Sequence, residues 1–224
     1  MNAEIEDPLK ALSEIYKPDV RQANLVGDLS DIHSVLTEIV LHDGVPSNVR
    51  ELFETAKNVS LYSWFVYRFH QVAEMVAFSA LEMALRERAG HAEFGPQGAA
   101  KIPGLSQLLT RAMAEKWMRT ENYPSLRVMA VKRARDAQFA RFLQRQGMTP
   151  AEIVPMPDPT EEEIAAAMCE IDVPQILIDT APQLRNSLAH GSSRVSPTSI
   201  WTLRLTSEAI NQIFESKQST PDGT

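Results

Sequence analysis

The feature that most constrains the fold is a segment that is apolar around much of a helix circumference. It covers residues 60–88 and reads SLYSWFVYRFHQVAEMVAFSALEMALRER. A helix with apolar residues on most sides is usually the centre of a bundle. Two arginines in its last turn, followed by Gly90, predict that it ends there, after a span of about 43 Å at ~1.5 Å per residue. An extension back to Ser47 stays open, with a break at 58–60 as the alternative.

The rest of the chain also has helical periodicity and lacks the signals of strands. There is no long alternation of apolar and polar residues and no hairpin turn between β-branched runs. We therefore predict an all-α fold. Residues 1–44 form an N-terminal helical arm, with short helices around 8–16 and 28–41. Residues 45–217 form the main helical domain, and residues 218–224 are a disordered tail.

Three local signals predict where the late helices begin. Thr160 and Glu163 have the spacing of a capping box, in which each side chain bonds to the backbone of the other residue. Thr180 is suited to cap a short helix that ends before Gly191. The pair Ser196–Pro197 fits the cap and the first helical position of the last helix.

Charge is distributed unevenly along the chain. Residues 101–150 carry ten Lys/Arg and three Asp/Glu, a local charge of +7, whereas the remainder carries −14. We interpret 101–150 as an inserted pair of basic helices, near 104–119 and 125–146. One hypothesis is that its arginines bind the phosphate backbone of RNA; the alternative is a solvated face paired with acidic neighbours. The RNA-binding stripe consists of Arg133, Arg141 and Arg145.

Several function classes are disfavoured. No apolar run approaches the ~20 residues that span a bilayer, and the acidic N-terminus does not resemble a signal peptide. Cys169 is the only cysteine, so we expect a cytoplasmic protein without intrachain disulfides. His70 and Glu74 share a helix face, but two ligands are too few for a metal site. We therefore predict neither a metal nor a cofactor.

The segment Arg185-Asn186-Ser187-Leu188-Ala189-His190 carries the chemistry. On a helix Asn186 and His190 share one face, while Arg185 lies about 140° around the axis and ~7.5 Å along it from His190. The long arginine side chain can reach the same groove. Histidine titrates near neutral pH and arginine presents a planar set of donors suited to phosphate. The alternative is purely structural, because helices often end in a cation followed by glycine.

The residues LRNSLAHG resemble the signature of the HEPN superfamily, the higher eukaryotes and prokaryotes nucleotide-binding domain. The end of the long helix, SALEMALRERAG, and the order of the helices also resemble that family over roughly residues 50–215. The resemblance implies a helical bundle that forms homodimers. Many HEPN proteins are metal-independent endoribonucleases of toxin–antitoxin and phage-defence systems.

The resemblance also implies roles for individual residues. Arg185 would stabilise the phosphorane transition state, His190 would act as general acid or base, and Asn186 would orient the phosphate or the imidazole. The product would be a 2′,3′-cyclic phosphate. Ser192 stands where toxins paired with a nucleotidyltransferase antitoxin often have a tyrosine, so regulation by modification of that residue is not expected.

Two alternatives to the nuclease stay open. In the first, the chain is an inactive HEPN-like module that binds a nucleotide or a protein, including an antitoxin. In the second, it is a structural helical oligomer.

The role of Glu82 also has two interpretations. Glu82 and Arg86 have the spacing of an intrahelical ion pair. Alternatively, Glu82 faces the motif helix and orients Arg185.

Overall fold

The chain forms a helical bundle, as the sequence predicts. The computed structural model describes residues 7–22, 27–90, 103–146, 157–189 and 196–215, with no side-chain description for 145–146 and 187–189. Within these ranges the regular structure is helical and no residue lies in a strand. The α-helices are α1 (Leu29–Thr37), α2 (Ser47–Tyr62), α3 (Phe69–Arg88), α4 (Leu105–Ala114), α5 (Leu126–Gln146), α6 (Glu161–Cys169), α7 (Val173–Ala189) and α8 (Ser199–Glu215).

Helix α3 is the centre of the bundle and packs against α2, α4, α7 and α8. Four alanines in succession along its length are completely buried, together with Leu81 and Leu85. Small side chains allow neighbouring helices to approach closely, while the leucines fill the space between them. The prediction that this segment occupies the centre of the fold is therefore confirmed. The alanines are Ala73, Ala77, Ala80 and Ala84.

The predicted single helix over residues 60–88 is wrong in its boundaries. Helix α2 extends back to Ser47, and the chain leaves the helix over residues 63–68 before α3 begins. At the break, the Ser63 hydroxyl donates to the carbonyl of Ser60, and the Gln22 side chain donates to the carbonyl of Ser63 at 2.9 Å. These bonds satisfy groups that a continuous helix would satisfy internally. The 20 residues of α3 span about 30 Å rather than 43 Å.

The N-terminal region holds one helix in its described part. Residues 12–16 form turns, so the helix predicted around 8–16 is wrong. Leu9, Leu12 and Tyr16 are at least four-fifths exposed, and without a buried face a short helix has little to stabilise it. The helix predicted around 28–41 is present as α1, but it ends at Thr37; it begins with a capping box between Asp28 and Asp31. The division between an arm and a domain at residue 44 stays a prediction.

The basic region contains the two predicted helices, but α4 ends at Ala114, before the predicted end near residue 119. A short 3₁₀ helix at Thr120–Asn122 lies between α4 and α5. Helix α4 ends in a Schellman motif: Trp117 N donates to Ala112 O at 2.8 Å, and Lys116 N donates to Met113 O at 3.0 Å. Lys116 adopts the left-handed conformation, with φ of 58°, that glycine usually takes at this position. Helix α4 packs against α3 and α7, and α5 packs against α6. The pair is therefore part of the core.

Helix α6 begins as predicted, because Thr160 and Glu163 form both bonds of the capping box. The prediction for the next helix is wrong. Helix α7 begins at Val173, and Thr180 lies inside it, donating from its hydroxyl to Ile176 O at 2.6 Å. Asp172 supplies the cap instead, accepting from Gln175 N at 3.0 Å. Pro182 also lies within α7, whose burial against α3 and α4 offsets the missing backbone bond.

The last helix begins at Ser199, two residues later than the predicted position of Pro197. The Thr198 and Thr202 hydroxyls both donate to the carboxylate of Glu74 on α3, and this contact fixes the start of α8. The apolar side chains of α8 face the core. Leu203, Ile210 and Ile213 are fully buried, and Ile200 packs against them at the edge.

The tail predicted at 218–224 lies outside the described residues. No described helix is both long enough and apolar enough to cross a membrane.

Candidate functional site

The packing of α3 against α7 brings together two segments that resemble the HEPN family, the end of the long central helix and the motif that contains Arg185. Glu82, on α3, is only 7% exposed. Its Oε1 accepts a bond from Nη2 of Arg86, one turn further along α3, which confirms the predicted intrahelical pair. Its Oε2 lies 3.4 Å from Nη2 of Arg185 on α7. Glu82 therefore makes both contacts that the sequence offered as alternatives.

The exposure of these side chains increases from the carboxylate outwards. The side chain of Glu82 is 10% exposed, that of Arg86 is 24% and that of Arg185 is 43%. A buried carboxylate is stabilised by cations that also form hydrogen bonds to it. The two guanidinium groups that contact Glu82 are thus the more exposed members of this cluster.

The remaining motif residues are placed only in part. Asn186 follows Arg185 in α7, and its side chain is exposed. His190 lies outside the described residues. The predicted convergence of the imidazole and the guanidinium group is therefore still a prediction. The part that the structure places is the guanidinium group and the carboxylate beneath it.

The basic helix α5 pairs with acidic residues of the following segment. Arg133 Nη2 lies 2.9 Å from a Glu170 carboxylate oxygen, and Arg141 Nη2 lies 2.9 Å from that of Glu163. Arg127 and Arg135 pair similarly with Glu161 and Asp158. The hypothesis that this face pairs with acidic neighbours is thus supported.

The RNA-binding hypothesis for α5 stays a prediction. RNA would have to compete with the carboxylates for Arg133 and Arg141, although exposed ion pairs of this kind contribute only about 0–1 kcal/mol each. The side chain of Arg145 lies outside the described residues.

A buried polar network surrounds His70, and the sequence did not reveal it. His70 is 5% exposed. Its Nδ1 lies 2.7 Å from the Ser199 hydroxyl, and its Nε2 lies 2.9 Å from the Gln22 amide nitrogen. Gln22 donates to Nε2, so a neutral ring with its proton on Nδ1 satisfies both contacts. Burial lowers the pKa of His70 to about 4.

Glu74 lies one turn after His70 on α3 and is also buried. Burial raises the pKa of its carboxyl group, although the bonds from Thr198 and Thr202 oppose this shift. His70 and Glu74 share a helix face but have different partners. His70 contacts Gln22 and Ser199, whereas Glu74 accepts from Thr198 and Thr202. No group of three or more His, Cys, Asp or Glu side chains suited to a metal occurs within the described ranges.

A separate shallow pocket lies at the opposite end of α7 from Arg185. Its lining includes the charged residues Lys116, Arg119 and Asp172 and the apolar residues Met118 and Pro174. About 17 Å of helix separates Pro174 from Arg185. The pocket is therefore distinct from the Glu82 cluster.

Comparison with known proteins adds no relative. No protein-family model, curated protein or solved structure matches this chain.

Proposed function

We propose that this protein is a metal-independent endoribonuclease of HEPN type, with Arg185, Asn186 and His190 as its catalytic residues. The observation that carries the proposal is the contact of Arg185 with the buried carboxylate of Glu82. A side chain held at one end by a buried partner has fewer conformations to lose when it binds substrate. Glu82 therefore orients the guanidinium group while 43% of the Arg185 side chain faces solvent.

The proposed reaction transfers the phosphoryl group within the RNA. The ribose 2′-hydroxyl oxygen attacks the neighbouring phosphorus, and the bond from phosphorus to the 5′-oxygen of the next nucleotide breaks. His190 handles a proton of this step, either taking it from the 2′-hydroxyl or supplying it to the leaving oxygen. Arg185 donates hydrogen bonds to the phosphorane oxygens, and Asn186 orients the phosphate or the imidazole. The products end in a 2′,3′-cyclic phosphate and a 5′-hydroxyl.

The assembly and setting belong to the same proposal. We place the protein in the cytoplasm, as a homodimer in which two α7 helices face one cleft, acting as a toxin or phage-defence effector with an antitoxin as partner. Sedimentation of the purified protein measures whether its mass in solution is that of a dimer. The gene adjacent to the one that encodes this protein is where a cognate antitoxin is expected.

The decisive experiment is incubation of the protein with RNA in EDTA. We expect cleavage by the wild type and loss of at least ~10²-fold in rate for His190→Ala, since general acid–base catalysis contributes on that order. His33→Ala is the matched control, because His33 is an exposed histidine on α1, away from the motif. Cleavage that persists unchanged in His190→Ala rules out the assigned role of His190.

One observation favours the alternative, a catalytically inactive module that binds a nucleotide or a protein. The Asn186 side chain is exposed and Arg185 is nearly half exposed. A binding surface needs this exposure but needs no imidazole. Nucleotide binding that depends on Arg185, with no cleavage of any RNA by the wild type, would support this alternative against the nuclease.

A further inference from the structure

Both oxygens of the Glu82 carboxylate contact guanidinium groups, and these groups come from two different helices. Oε1 accepts from Nη2 of Arg86 on α3, and Oε2 lies 3.4 Å from Nη2 of Arg185 on α7. The two guanidinium groups therefore share one carboxylate group, each contacting a different oxygen. Arg86 lies far from the motif in sequence, and its spacing from Glu82 indicated only an intrahelical ion pair.

The relative exposure of the three side chains gives the cluster a direction. Glu82 lies beneath, with 10% of its side chain exposed, while Arg86 and Arg185 lie nearer the solvent at 24% and 43%. An anion that approaches from solvent meets the two cations before the carboxylate.

We propose that Arg86 and Arg185 together bind one phosphate group of the RNA backbone, with Glu82 as the positioning residue that holds the two guanidinium groups side by side. This inference deepens the proposed function and rests on it for the identity of the ligand. A phosphate group suits the pair because its oxygens can accept from two planar guanidinium groups at once. Arg86 is then a phosphate-binding residue supplied by the central helix.

Binding is tested separately from cleavage by a probe that cannot react. The probe is a short, fluorescein-labelled 2′-O-methyl RNA, which lacks the attacking hydroxyl, and its binding is followed by fluorescence anisotropy in EDTA. We expect Arg86→Gln and Arg185→Gln each to weaken binding at least tenfold, as loss of a bond to a charged group does. The double variant should lose less than the product of the two effects, because both residues bind one phosphate.

Two further variants guard against a loss of fold. Arg86→Lys keeps a cation beside Glu82 but removes the planar donors, so we expect a native melting temperature with binding weakened several-fold. Arg50→Gln is the matched control, since Arg50 is 39% exposed and pairs with one carboxylate, that of Asp43, at 3.0 Å. We expect it to bind the probe like the wild type.

The outcomes separate this inference from the proposed nuclease. Probe binding that depends on both arginines, without cleavage of ordinary RNA by the wild type, supports the phosphate site and contradicts the nuclease. Cleavage by the wild type with probe binding unchanged in Arg86→Gln and Arg86→Lys overturns the role of Arg86 and leaves the nuclease standing. No binding of the probe by the wild type, or equal loss in Arg50→Gln, overturns the phosphate site.

Discussion

Replacing His70 with glutamine should change how the stability of the protein depends on pH. His70 is buried between Gln22 and Ser199, and both contacts fit the neutral ring. Its pKa is about 4 in the folded protein, against the ordinary value of 6.5. The unfolded chain therefore binds more protons at this residue between pH 6.5 and 4. Consequently the folded state loses stability as the pH falls through that window.

The size of the effect follows from the shift. A difference of 2.5 pKa units, from 6.5 to about 4, corresponds to about 3 kcal/mol when the pH lies below both values. Relative to pH 7, about 1.2 kcal/mol is lost at pH 5.5 and about 2.4 kcal/mol at pH 4.5. The neighbouring Glu74 has a raised pKa, so its contribution has the opposite dependence on pH. It is present in both proteins and cancels in their difference.

The assay is urea unfolding followed by circular dichroism at pH 7, 5.5 and 4.5. At pH 7 we expect His70→Gln to be less stable than the wild type, because the network with Gln22 and Ser199 is disturbed. The stability of the wild type relative to the variant should fall by about 2.4 kcal/mol on going from pH 7 to pH 4.5. His33→Gln, which removes an exposed imidazole, is the control. A gap between wild type and His70→Gln that is the same at all three pH values would refute the argument.

Two further predictions concern the ends of helices. Lys116→Gly should raise the free energy of unfolding by roughly 0.5–1 kcal/mol, because Lys116 has a φ of 58° and glycine takes that conformation with little strain. An unchanged or lower midpoint in urea unfolding would contradict this prediction. Thr160→Ala should lower the free energy of unfolding by about 1 kcal/mol through loss of the α6 cap. Urea unfolding measures this change, and Thr55→Ala, a substitution inside α2, is the control. Equal effects of the two threonine substitutions would argue against a special role for the cap.

The parts of the fold that were predicted correctly depend on short-range patterns. The α6 capping box involves Thr160 and Glu163, three residues apart, so its signal is complete within one turn. The central position of α3 follows from apolar residues on most of its faces. These features depend on residues that lie close together in the sequence, so the sequence pattern alone is enough to predict them.

The parts that were missed depend on contacts between distant residues. The break between α2 and α3 is held by Gln22, 41 residues before Ser63, and the partner of His70 on α8 lies 129 residues away. Helix α7 runs through Pro182 because its burial outweighs a local signal for interruption. Spacing alone indicates such contacts only when both partners lie on one element.

The candidate site shows both situations. The pair of Glu82 with Arg86 follows from their spacing on one helix, and it was foreseen. The contact of Glu82 with Arg185 was one of two alternatives, and only the packing of α3 against α7 brings these residues together. No spacing indicated that Arg86 and Arg185 would share a single carboxylate.

The central claim is that a guanidinium group held on α7 acts on an RNA phosphate without a metal. The most direct test is analysis of the RNA ends produced in EDTA by the wild type, Arg185→Ala and the control Arg50→Ala. We expect 2′,3′-cyclic phosphate ends from the wild type and the control, and at least ~10²-fold slower cleavage by Arg185→Ala. Cleavage at an equal rate by Arg185→Ala, or wild-type products that end in a 3′-hydroxyl, would contradict it.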